Sequence, residues 1–248
     1  MSYCLGIKTA AGLVMGSDSR TSAGDQVSVC QKMYLFVKPG ERVFVLVTSG
    51  SLSLSQSVVT LLEKDFEAGQ GLAAVPTLYD AARVVGDTIR RVAKIDRKYL
   101  ERDRFNFNVH FIMGGQIKGA EHDLYLIYPQ GNPLRASTDA PFLQIGETKY
   151  GRPILDRGIK YDSTPLEVAA KYALISLDST MRSNMTVGPP VDMLLYKADS
   201  LKVTQHRRLV ASDPDLKEIH TRWEQSLRRA VSELPPVQFE EVENEIED

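Results

Sequence analysis

Ser2, Asp18, Lys32 and Gly50 are the residues of this chain whose types and order could support one reaction. Ser2 follows Met1 directly, so trimming of Met1 would leave a free α-amine on the residue that also carries a primary hydroxyl. An α-amine ionises near about pH 7.7 to 8.0, close to the ideal for a general base at neutral pH, whereas a lysine near about 10.4 must first be perturbed. A terminal Ser can therefore hold nucleophile and base in one residue. Such a centre needs a buried cation to keep the amine unprotonated and the hydroxyl acidic, a carboxylate to orient the cation, and backbone donors for the oxyanion. Asp18 ends a strand-like segment that a tight hairpin would pair with the strand begun by Ser2. Lys32 opens the next such segment within the apolar stretch from Val29 to Val37, and Gly50 lies in TSGSLS, where a strand passes into a helix. Each has a plain structural reading when taken singly: a small residue permitting Met removal, a turn aspartate, a solvated strand lysine, a strand-to-helix joint. In this order around a terminal Ser they point to an N-terminal nucleophile site.

Other familiar chemistry finds no support. There is no GxSxG elbow, no HExxH and no phosphate-cradling Gly-rich loop; Gly114, Gly115 and Gly119 separate two strand-like segments and read as turn residues. His110, His122, His206 and His220 lack ligand spacing, and His110 alternates with apolar neighbours as a core or sheet residue would. Cys4 and Cys30 form no CxxC pair, so neither a disulfide framework nor a zinc site is indicated, and a reducing compartment is the simpler expectation. A formal net charge of -2 leaves no electrostatic footprint for nucleic acid or an anionic membrane surface. No basic region followed by an apolar stretch opens the chain, and no run approaches the roughly 18 apolar residues of a membrane span, so a cytoplasmic location is expected.

The elements that must position these residues follow from periodicity. SYCLGIKT with GLVMGSDS, and VCQKMYLFV with RVFVLVTSG, read as two hairpins. A helical stripe of Val58, Val59, Leu61, Leu62 and Phe66 follows, then a long helix over about 77–103. Strand character returns in FNFNVHFIMGG, HDLYLIYP and APFLQIGE. Thr164, Pro165 and Glu167 then read as the N-cap, N1 and N3 of a helix running to about Met181. VDMLLYKA and LKVTQHRRLV form a last hairpin, and Asp213 with Pro214 opens a terminal helix. With 248 residues, 43% of them hydrophobic, the chain reads as one domain over 1–239 followed by an acidic tail, 240–248, expected to be disordered. Strands, two helices, strands, one helix, strands, one helix do not alternate as a doubly wound sheet would. An α+β arrangement of antiparallel sheets with helices on the outer faces fits better.

The terminal nucleophile, GSDSRTSAG after the second strand, the Lys of QKMY and TSGS before the first helix resemble the β-type subunits of the proteasome superfamily of N-terminal nucleophile hydrolases. Within that superfamily the chain is most similar to the bacterial group called Anbu, for ancestral β subunit. The likeness runs from Ser2 to about Val210 and takes in IGETKYGRPILDRG and SNMTVGPP. It implies a four-layer αββα sandwich, two antiparallel sheets between helix layers, and peptide-bond hydrolysis through Ser2 with Lys32 and Asp18 as helpers and the Gly50 amide in the oxyanion hole. It implies Arg20 as a structural brace beneath the site, no metal or organic cofactor, and a homo-oligomer, ring or open spiral, acting on peptide or protein substrates. The helical faces and the 77–103 helix are the expected contacts, and whether an ATPase serves as partner is left open by the resemblance. The chain departs from the pattern in carrying Ser in place of the usual Thr, Glu147 after Gly146 where a small serine is usual, and Ser183, Asn184 and Thr186 where an Asp and a Ser usually stand near the amine. Only Met1, with no propeptide, would have to be removed. The alternative is a non-catalytic assembly or scaffolding subunit like the proteasome's α subunits, though a scaffold has no need of Lys32.

Overall fold

The computed structural model describes residues 2–23 and 26–239; the expectation of a disordered acidic tail over 240–248 falls outside the described residues. Both expected N-terminal hairpins form. β1 (Tyr3–Thr9) pairs with β2 (Gly12–Asp18), and β5 (Met33–Lys38) pairs with β6 (Arg42–Gly50), all antiparallel. β2 is flanked on its other side by β11 (Val191–Lys197), which pairs with β12 (Gln205–Leu209), while β10 (Phe142–Gly146) edges β1. The first sheet thus runs β10-β1-β2-β11-β12. The second continues from β5 and β6 through β7 (Val109–Ile117), β8 (Asp123–Ile127) and the short β9 (Pro133–Arg135).

Both faces of each sheet are covered, which explains why β1 and β2 are buried at every position rather than at alternate ones. On one face, Tyr3, Leu5 and Ile7 pack with Ala169, Ala173 and Leu177 of α4 (Leu166–Ser183). On the other, Cys4, Leu13 and Met15 meet Val43, Val45, Val47 and Ile112 of the second sheet. The outer face of that second sheet, with Phe44, Leu46, Phe111 and Met113, is covered by α1 (Leu52–Glu67) and by α2 (Leu78–Arg102), which spans the expected long helix. The result is the expected αββα order of layers, and α5 (Pro214–Ser232) follows the last hairpin, N-capped by Asp213 as read.

Four local expectations are corrected. An additional helix, α3 (Thr148–Gly158), lies within IGETKYGRPILDRG, where the expected order has a single helix between the strands on either side. Gly151 is there because the helix lies directly on Tyr3 and Ser176, whose hydroxyl oxygens a Cβ at this position would overlap. The capping box at Thr164 is not made. Pro165 is the N-cap residue of α4 with no side-chain cap, and Thr164 Oγ1 accepts instead from Lys160 N at 2.8 Å, closing the preceding turn. VCQKMYLFV is broken rather than continuous: β4 (Gln26–Val29) pairs with β3 (Arg20–Ala23) as a separate ribbon, and Cys30–Lys32 form the joint before β5. Gly114 and Gly115 are not turn residues but lie inside β7, opposite Val45 and Phe44, while Gly119 does sit in the turn.

Candidate active site

β1 and β2 bring the first site residues together through register. Cys4 opposes Ser17, so Asp18 falls beside Tyr3, and Tyr3 N donates to Asp18 Oδ1 at 3.0 Å. Asp18 is fully buried yet surrounded by donors. Lys32 Nζ lies 2.7 Å from Oδ1, and the backbone amides of Arg20 and Gly188 each donate to Oδ2 at 3.2 Å. Burial pushes the Asp18 carboxyl above its usual range, and the Lys32 ammonium, Tyr3 N and Gly188 N pull the other way. Lys32, 4% exposed, spends its second hydrogen bond on Arg20 O at 2.6 Å, while its own carbonyl accepts from Thr48 N at 3.0 Å. The Cys30–Lys32 joint thereby ties the buried cation to β6, two residues before Gly50.

Ser2 is pinned through its backbone. Its carbonyl accepts from Glu147 N at 2.9 Å, at the point where β10 turns into α3. Gly146 makes that approach possible, with φ +86° and a Cβ position that the Ser2 carbonyl oxygen already fills. Gly50 is constrained in the same way. Its φ is +109°, a Cβ would overlap the Asn108 carbonyl oxygen, and the next amide, Ser51 N, donates to that oxygen at 2.8 Å.

Two cavities border Ser2, and Ser49 and Gly50 belong to the walls of both. One, of about 490 Å³, is lined by Lys32, Thr21, Cys30, Leu52 and Phe105. The other, of about 600 Å³, is lined by His110, Tyr128, Gln144 and Glu147. Ser2, Lys32 and Gly50 therefore converge on one cavity, with Asp18 directly behind Lys32.

Arg20 reaches under the segment after α4: Nη1 donates to Met185 O at 2.6 Å, and its guanidinium occupies the space a Cβ at Gly188 would need. Ser183, the last residue of α4, is exposed and lines neither cavity. Beyond it, Asn184 Oδ1 accepts from Thr186 N and Oγ1 at 2.9 and 2.7 Å and shapes the turn that delivers Gly188 to Asp18. Cys4 is no competing nucleophile, because burial pushes its thiol strongly up and Sγ donates to Thr48 O at 3.3 Å. Sequence reasoning gave no role to the Gly188 amide or to the wall formed by His110, Tyr128 and Gln144. His110 is half-buried in that wall, edge-on to Tyr128 at 6.4 Å, and burial pushes its imidazole pKa down. The Gly-Pro-Pro run is the one local cue to a turn at Gly188, and no local pattern joins His110 of β7, Tyr128 just beyond β8 and Gln144 of β10.

Two antiparallel sheets enclosed by helix layers, with the N-terminal strand carrying its first residue to a cleft, make the fold that of the proteasome-type N-terminal nucleophile hydrolases. The model for the proteasome subunit family matches residues 2–194. A proteasome subunit beta from Haloquadratum walsbyi is 24% identical over 203 residues, covering 82% of this chain and 76% of that protein. Solved structures are nearer: Anbu (ancestral beta-subunit) from Yersinia bercovieri is 40% identical, with a TM-score of 0.90 and coverage of 96% of this chain and 100% of that one. The helical assembly of the Anbu complex from Pseudomonas aeruginosa is 44% identical, also at a TM-score of 0.90, with coverage of 95% and 98%. The chain belongs to the proteasome subunit family and, within it, to the Anbu proteins.

Proposed function

We propose that the chain is a peptidase or amidase that acts through Ser2 once Met1 has been removed. The buried Lys32–Asp18 pair in the wall beside Ser2 carries this reading. A buried ion pair is often no more stable than apolar residues of the same volume, so a cation held at a cavity wall beside a hydroxyl is better explained by chemistry than by stability. In this reaction the Ser2 hydroxyl proton passes to the α-amine as Oγ bonds to the substrate carbonyl carbon, and the negative carbonyl oxygen is met by the Gly50 amide. The ammonium then protonates the departing amine as the carbon–nitrogen bond breaks, and water hydrolyses the resulting ester through the same amine. Lys32 lowers the cost of charge on Oγ, Asp18 orients Lys32, and Arg20 braces the segment that supplies the Gly188 amide. Ser183, exposed and outside both cavity linings, takes at most a supporting part beside the amine. Labelling with a mechanism-based electrophile, followed by peptide mass spectrometry, should place the adduct on Ser2 of chains that lack Met1. An adduct elsewhere, or full activity in chains retaining Met1, overturns the reading.

The same reading takes the protein to be a homo-oligomer, ring or open spiral, cleaving peptides or unfolded protein in the cytoplasm. Supporting it are the helical assembly described for the Pseudomonas aeruginosa relative, the exposed Tyr79, Ile95 and Tyr99 on α2, and the free thiols of Cys4 and Cys30, which suit a reducing compartment. Among the described residues no helix is long and apolar enough to cross a membrane.

A further inference from the structure

We infer that the second cavity beside Ser2 is a subsite for a positively charged group, an arginine or lysine side chain flanking the scissile bond, and that Glu147 is its specificity-determining residue. This rests on Ser2 and Gly50 as the reacting centre, because both line this cavity. Glu147 occupies the N-cap position of α3, where a carboxylate ordinarily accepts from a helix amide, yet its side chain caps nothing, and the residue lines the cavity. That side chain is 11% exposed, and among the described residues no donor hydrogen-bonds to it. Lys149 Nζ stands 3.8 Å away on a side chain that is 70% exposed. An exposed pair at that distance contributes little, which leaves a largely covered carboxylate open to a partner arriving through the cavity.

The remaining wall has the same bias. Gln144 uses its amide nitrogen on Tyr3 Oη, leaving its carbonyl oxygen as an acceptor. Burial favours the neutral imidazole of His110, so no second cation opposes the first, and the Tyr128 ring offers an aromatic face. Among the described residues no lysine or arginine lines the cavity, and about 600 Å³ is ample for a guanidinium on its aliphatic stem. The other cavity offers Leu52, Phe105 and a Lys32 already paired with Asp18, so the two sides of the bond meet walls of different character.

The test needs no turnover. Ser2→Ala protein is titrated, by fluorescence anisotropy, with peptide pairs identical except for arginine or its neutral near-isostere citrulline at either residue flanking the bond. The arginine peptide should bind about five- to tenfold more tightly at low salt, an advantage that salt reduces. Glu147→Gln should bring the ratio to near one, and Lys149→Ala, which removes the exposed competitor, should raise it and decides the matter if Glu147→Gln fails to fold. Equal affinities for the two peptides, a ratio unchanged by Glu147→Gln, or no binding of any peptide overturns the inference. Wild-type protein that cleaves nothing while the arginine preference persists would overturn the peptidase reading alone.

Discussion

Lys32 separates a working site from an incidental buried charge. It holds two short bonds, to Asp18 Oδ1 and Arg20 O, from a position 4% exposed. Lys32→Ala would strand a buried carboxylate and should cost about 3 kcal/mol of stability in urea unfolding. It should also abolish turnover of a fluorogenic peptide. Lys32→Arg keeps the charge in a wider, planar head that cannot repeat both bonds, and it should be equally inactive; residual activity would mean that the cation acts through its field alone. Ser2→Ala should abolish hydrolysis while changing stability by less than about 1 kcal/mol, since it deletes one hydroxyl at a cavity wall. Asp18 adds a pH signature. Its carboxyl ionises above the usual range because of burial, and only the ionised form holds Lys32. Activity should therefore fall in acid above the ordinary aspartate value of about 3.9. The sign for stability is opposite: a raised folded-state pKa favours the fold below the unfolded value, and that contribution is lost as pH rises through the folded one. Asp18 protonation should thus silence the enzyme while circular dichroism still reports native structure; loss of both together would count against Asp18 as the titrating group.

At the level of elements, α3 acts as the backing plate of β1, the strand that follows Ser2. Tyr3 Oη and Ser176 Oγ lie 2.6 Å apart, Ser176 Oγ donates to Gly151 O at 3.1 Å, and burial pushes the Tyr3 phenol up to about 12. Gly151→Ala would force a methyl into this junction and should destabilise the fold by about 1–3 kcal/mol. Because Tyr3 directly follows Ser2, turnover should fall further than the stability loss alone predicts. Measuring kcat at a temperature where the variant is fully folded makes that distinction. The segment after α4 depends on Arg20 in a comparable way. Arg20→Ala removes the bond to Met185 O, at a cost of about 1 kcal/mol, and should speed amide exchange over residues 184–188. Unchanged exchange there would remove Arg20 as a brace.

For the molecule as a whole, the outward features are the exposed apolar residues of α2 and α5: Tyr79, Ile95 and Tyr99 on the first, Leu227 and Val231 on the second. Large apolar side chains repeated along helix faces suit contacts between copies of the chain. Analytical ultracentrifugation at micromolar concentration should show a homo-oligomer of about six or more subunits, and a monomer would refute the assembly reading.

Much of this molecule is legible in its sequence, because the relevant signals are local. Short apolar runs bounded by turn residues mark the strands from Tyr3 to Asp18 and from Met33 to Gly50, and 3.6-residue stripes mark α1, α2 and α5. A hairpin tight enough to pair β1 with β2 necessarily carries Asp18 to the residue after Ser2, so this half of the site follows from chain order. What local pattern could not supply is contact across layers. The helix α3 is absent from the expected element order, and the reason for Gly151 within it, the close approach of Tyr3 and Ser176, comes from β1 and α4. Thr164 read as a cap because its competitor, Lys160 N, is offered only once the preceding turn has closed. The cavity walls bring together Ser2 from just before β1, His110 of β7, Tyr128 from just beyond β8, Gln144 of β10 and Glu147 at the start of α3. Their proximity is set by how the sheets stack and stagger, a property of packed surfaces that no spacing along the chain encodes.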